Sequence, residues 1–117
     1  MKNYKDLLIW RKGIELVKEV YKVVKFIPET EKYGLISQMT RAAVSIPANI
    51  AEGSGRNSDK DYSRFIDIAL GSCFELQTYL VITKELKWIE DDAVNSLEQT
   101  LDEEIKMTHN FLRTLRS

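Results

Sequence analysis

Pro47 stands in the middle of a run, RAAVSIPANIAEGSGR from Arg41 to Arg56, that otherwise has the pattern of a buried, small-residue helix. A proline in a helix interior deletes one backbone hydrogen bond and crowds the carbonyl four residues back, here that of Ala43, at a cost of roughly 3 kcal/mol. A chain that keeps it must fold so that a kink at this point is tolerated. On helical geometry Arg41, Ser45, Asn49 and Glu52 lie within about 80° of one another, opposite Met39, Ala43, Ile46, Ile50 and Gly53. Ser45 and Asn49 are residue types that re-satisfy a carbonyl freed by proline, and Glu52 can pair with arginine, so the stripe is expected to fix the bend. The same stripe, with Arg56 beyond the glycines, also carries guanidinium groups able to grip a phosphate backbone in bidentate fashion.

The 117 residues suffice for one domain with one core, and residues 1–117 are expected to form a single unit. Apolar and charged fractions of 44% and 30% fit a globular chain and exclude a disordered one. Lys2, Lys5 and Asp6 interrupt the N-terminus where a signal peptide needs an apolar core, and no stretch is expected to reach the roughly 20 apolar residues of a membrane span. A cytoplasmic location and no membrane association are therefore expected. A single cysteine, Cys73, agrees with a reducing compartment and excludes an internal disulfide.

Hydrophobic spacing predicts four helices. The first runs from Leu8 to Phe26 after Asp6 as N-cap, with two apolar stripes: Trp10, Ile14, Val17, Tyr21 and Val24, beside Leu16, Val20, Val23 and Ile27. Pro28 ends it, and Thr30 is the expected cap of the second, which carries Leu35, Met39, Ala43, Ile46 and Ile50 until Gly53 and Gly55 stop it. Ser58 with Asp61 starts the third, reaching Leu86, and Trp88 and Ile89 fill the next turn. The fourth begins near Asp91, with Asp91 and Asp92 at the positive end of the helix dipole and Arg113 and Arg116 at the other. Its apolar positions are Val94, Leu97, Leu101, Ile105, Phe111 and Leu115. This is an all-α, antiparallel up-and-down four-helix bundle.

The third helix has more apolar surface than one core can cover. Lys60, Arg64, Asp67, Gly71, Glu75 and Thr78 fill a polar sector of about 80°, which leaves Phe65, Ile68, Phe74, Val81 and Ile82 among the residues spread over the rest. Partial cover by another subunit is expected, and Gly71 in mid-helix suits a close approach by another helix.

The run from Arg41 to Arg56 resembles, nearly letter for letter, the hallmark segment of the bacterial four-helix-bundle family named after proteins encoded in 23S ribosomal-RNA intervening sequences. Tyr33-Gly34-Leu35 with Gln38 resembles the opening of that family's second helix. Phe65 to Leu76, with Ile68-Ala69-Leu70-Gly71-Ser72 and Glu75-Leu76, resembles its third-helix signature; Leu7 to Trp10 and Val20-Tyr21 match the first. The family is similar to the accessory protein of diversity-generating retroelements, a ring-shaped homopentamer that binds nucleic acid and a reverse transcriptase. The resemblance thus implies a homopentamer and offers structured RNA or DNA as a ligand, although Thr40 stands where many relatives carry a second arginine.

Charge bears on that ligand. The net charge of −1 lacks the basic excess of a protein held mainly by phosphate contacts. Yet residues 1–64 hold twelve Lys or Arg against eight Asp or Glu, and residues 65–117 hold five against ten. A basic rim from Arg11, Lys12, Lys18, Lys22 and Lys25, with Arg41 and Arg56, is the candidate nucleic-acid surface; the alternative is a solvated face paired with Glu15 and Glu19. Ser45, Pro47, Asn49, Glu52 and Gly53 are the candidate structural motif.

Catalysis is not expected. His109, the single histidine, has no arginine or asparagine four to six residues before it and no Glu-x-x-His partner. Cys73 is expected as a buried inert thiol, and Asp102, Glu103 and Glu104 as a solvated acidic cluster; no metal site and no cofactor follow. Two functions stand: a non-catalytic oligomeric scaffold or adaptor for protein partners, and a nucleic-acid-binding module.

Overall fold

The computed structural model describes residues 3–117 as four α-helices joined by turns, with no strand among the described residues. Helix α1 spans Leu8–Val23, α2 Leu35–Ser54, α3 Asp59–Glu85 and α4 Asp91–Arg116. Each helix packs on its neighbours in the chain, and α1 also packs on α4, which closes the bundle. Gln38 near the start of α2 meets Tyr79 near the end of α3, and Asp67 in the first half of α3 meets Arg116 at the end of α4. Gly13 in the first half of α1 faces Pro47 in the second half of α2, so consecutive helices run antiparallel.

The core is built from spacings of three and four. Ile9, Leu16 and Val20 of α1 meet Met39, Ala43, Ile46 and Ile50 of α2, Ile66, Cys73, Leu76 and Leu80 of α3, and Val94, Leu97 and Leu101 of α4. Of the two stripes on α1, the one with Leu16 and Val20 faces inward, while Ile14 and Tyr21 of the other are exposed.

Several helix ends differ from the sequence expectation. Asp6 does not cap α1; it ends a short 3-10 turn from Tyr4, capped by Asn3, and Leu7 precedes the helix without a side-chain cap. The last turn of α1 tightens into 3-10 form over Val24–Phe26, because Pro28 prevents the helix from continuing. Thr30 lies in another 3-10 turn, Glu29–Glu31, and Gly34 is the residue before α2. Gly53 does not stop α2; the helix runs on to Ser54 and Gly55 ends it. Ser58 does cap α3, its hydroxyl accepting from the Asp61 N–H at 3.2 Å.

By length and composition α3 is apolar enough to cross a membrane, contrary to the expectation that no segment would be. Its apolarity has a local cause, since it carries core residues such as Ile66, Leu70, Leu76 and Leu80 and packs on both α2 and α4. It ends with the Trp88 N–H on the Thr83 carbonyl and the Lys87 N–H on that of Lys84, a Schellman-type stop. Lys87 takes the left-handed position there, with φ 58°.

Candidate functional site

Pro47 is buried, and α2 is helical on both sides of it. The ring has room because α1 lacks a side chain opposite: a Cβ added at Gly13 would stand 3.2 Å from Pro47 Cβ and 3.3 Å from its Cδ. Asn49 Nδ2 donates to the Ser45 carbonyl and to Ser45 Oγ, both at 2.8 Å, and Ser72 Oγ on α3 donates to Ser45 Oγ at 2.8 Å. These bonds do not reach the Ala43 carbonyl, as had been expected. A helical side chain reaches the carbonyl one turn back, and Ala43 is nearly two turns from Asn49. Ser45 instead ties α2 to α3 through Ser72, and Asn49 holds Ser45 from one turn along α2.

The polar stripe on α2 divides accordingly. Ser45 and Asn49 are half-buried in the α2–α3 seam, whereas Arg41 and Glu52 are exposed. Glu52 pairs with Arg56, whose guanidinium also lies over the Phe65 ring, 4.7 Å from its centroid. Gly53 lies beneath this cluster, where a Cβ would stand 2.8 Å from Tyr62 Cδ1 and 2.9 Å from Phe65 Cβ. Gly53 therefore sets the distance between α2 and α3.

The candidate basic residues do not form one patch. Arg11 bonds the Lys5 carbonyl at 2.9 Å and lies 3.6 Å from Asp6, and Lys12 turns towards α4 to meet Glu103 at 2.9 Å. Lys18, Lys22 and Arg41 are exposed and make no ion pair among the described residues. Arg11, Lys18 and Lys22 project within about 40° of one another on α1, and Lys25 lies in the 3-10 turn that follows.

Among the described residues, the exposed apolar side chains include two surfaces without cover. On α3, Ile68, Ile82 and Leu86 are exposed on one side together with Glu75, and a Cβ at Gly71 would meet nothing within 4 Å. Gly71 thus approaches no helix of its own bundle. Between α1 and α2, a groove of about 280 Å³ is lined by Trp10, Ile14, Val17, Val44, Ala48 and Ala51 among others.

Among the described residues no group of three or more metal-ligating side chains converges. Cys73 is buried, and burial pushes its thiol up to about 12, which suppresses the reactive thiolate. His109 is exposed and lies beside Phe74.

The acidic cluster departs most from expectation. Asp102 and Glu103 are exposed, but Glu104 is wholly buried, and neither of its carboxyl oxygens has a hydrogen-bond partner. The sequence carries a signal for this that reading the cluster as solvated passed over. The buried register of α4 runs Val94, Leu97, Leu101, Glu104, Thr108, Leu112, and Glu104 and Thr108 occupy core positions in it.

The family model described as 23S rRNA-intervening sequence protein matches residues 5–110. A comparison with curated proteins gives no match. The fold is similar to the crystal structure of a protein of unknown function from the S23 ribosomal protein family of Bacteroides thetaiotaomicron VPI-5482. That likeness has a TM-score of 0.83 and 23% identity, and covers 90% of this chain and 98% of the other.

Proposed function

Because this chain belongs to the 23S rRNA-intervening sequence protein family, we propose that its four-helix frame serves as a cytoplasmic, non-catalytic scaffold or adaptor that works as a homo-oligomer. The observation that carries this reading is the pair of uncovered apolar surfaces. The α3 face has Glu75 among Ile68, Ile82 and Leu86, and the α1–α2 groove has Lys18 and Arg41 on its flanking helices. Unlike surfaces suit a head-to-tail contact, and such contacts close into rings when the rotation permits. A closed ring of five is the form proposed, with a bend at Pro47 shaping the groove and Gly71 admitting the neighbour's helix. Native mass by light scattering tests it: five chains are expected, and Ile82→Glu should lower the mass while leaving helical circular dichroism intact. A mass of one chain for the unaltered protein at micromolar concentration overturns it.

A nucleic-acid module is the second reading, favoured by the exposed line of Lys18, Lys22 and Lys25. Repetition around a ring would multiply so modest a patch. Titration with structured RNA and duplex DNA at two salt concentrations tests it. Binding that weakens steeply with salt supports it, and no binding at low salt removes it.

A further inference from the structure

We propose that the α1–α4 seam is a proton-operated latch, in which Glu104 sits as the uncharged acid against Gly13 while the seam is shut, and loss of its proton admits water and parts α1 from α4. The geometry begins at Gly13, where a Cβ would stand 3.3 Å from Glu104 Oε2. The carboxyl group therefore lies against the main chain of α1, beside the notch that also receives the Pro47 ring of α2. Glu104 is fully buried and both its oxygens lack a partner, and the hydroxyl of Thr108, one turn along α4, is likewise buried and unpartnered. A buried carboxylate without a partner is costly enough that the group takes up a proton instead.

The charges around it do not remove that cost. On α1, Lys12 favours the ionised form, but its ammonium is held by Glu103, and Glu15 lies on the same helix. From α2 the facing residue is Pro47, which carries no charge. On α3, the Cys73 thiol is kept protonated first by burial, and an ionised Glu104 would raise it further, so Cys73 offers no charge that would stabilise the carboxylate. On α4 itself the neighbouring Glu103 is acidic. Burial dominates and raises Glu104 from its ordinary 4.5 to about 8. Glu19, farther along α1, is raised too, by burial and then by Glu15.

The seam is built to yield. It is the least extensive of the four helix–helix contacts and has an open cleft at each end. One of about 470 Å³ lies among Leu7, Leu8, Met107 and Phe111, and one of about 270 Å³ among Glu19, Lys22, Ala93 and Leu97. The two clefts bracket Glu104 along the seam.

The sign of the effect is fixed by linkage. The folded state holds this proton more tightly than the unfolded chain, so the contribution of Glu104 to stability is full below about pH 4.5, falls as pH rises towards about 8, and levels off above it. The test compares urea unfolding of the unaltered protein and of Glu104→Gln from pH 5.5 to 9, with amide exchange at pH 6.5 and 9 corrected for intrinsic rates. The unaltered protein should lose stability across this window much more steeply than the glutamine variant. Its α1 and α4 amides should gain exchange relative to those of α2 and α3. Parallel stability curves, or exchange rising equally in all four helices, overturn the latch. Should Glu104→Gln fail to fold, carbon-13 NMR of the Glu104 carboxyl in the unaltered protein decides: a midpoint near 8 supports it and one near 4.5 overturns it.

Discussion

The α2–α3 seam and the α1–α4 seam are made of the same helical material and are held together by opposite means. At the first, Gly53 lets α3 come close, Ser45, Asn49 and Ser72 form a connected set of hydrogen bonds, and Gln38 meets Tyr79 at 3.3 Å. At the second, a cleft opens at either end, Glu104 and Thr108 are buried without partners, and an exposed ion pair between Lys12 and Glu103 spans the outside. A polar group in a bundle core stabilises when its hydrogen bonds are complete and leaves a point of weakness when they are not. The run from Arg41 to Arg56 supplies Ser45, Asn49 and Gly53 to the tight seam.

The largest way to break the contrast is Gly53→Val, which forces side-chain atoms into Tyr62 and the Cβ of Phe65. It is expected to destabilise by about 3 kcal/mol in chemical denaturation, at the upper end of overpacking costs. Gly13→Ala is expected to cost much less, because its nearest contacts are at 3.2–3.3 Å and alanine recovers about 1 kcal/mol of helix propensity. Equal losses at the two glycines would erase the distinction between the seams. Asn49→Ala removes both bonds to Ser45 and should lower stability by about 1 kcal/mol, seen as a fall of about 4 °C in melting temperature. An unchanged melting curve would deny the hydrogen-bonded set its role. Lys87→Gly relieves the left-handed backbone after α3 and should stabilise by about 0.5 kcal/mol, since glycine's greater freedom in the unfolded chain offsets part of the gain. Glu103→Gln, on the exposed bridge, should change denaturation by less than about 0.5 kcal/mol.

The four helices were legible because each core face repeats at three and four residues, and the Ser58 cap because its hydroxyl lies three residues before Asp61. Which face of α1 points inward was not legible: Trp10, Ile14 and Val17 are as apolar as Leu16 and Val20, and the rotation observed is the one that also sets Gly13 against Pro47. Phe111 and Leu115 read as core on α4, yet they are half-buried at its edge, while Glu104 and Thr108 take core positions. Residue type misled there because a carboxyl between acidic neighbours looks solvated, although its place in the repeat says otherwise. Of the candidate basic surface, sequence could place Lys18 and Lys22 together on α1, but not foresee that Lys12 turns to Glu103 and Arg56 to Glu52 and Phe65.

The closing of α4 on α1 also sets an order of events during folding. Lys12 and Glu103 are 91 residues apart, whereas Ser45 and Ser72 are 27 apart. Closing the longer loop costs more chain entropy, and its sparse contacts return less for it. The four helices can dock in sequence as three local hairpins, and the α1–α4 seam is then the last to close. Truncations at the α1–α4 seam should accordingly speed unfolding and leave the folding rate almost unchanged, while those at Ser45 and Ser72 slow folding.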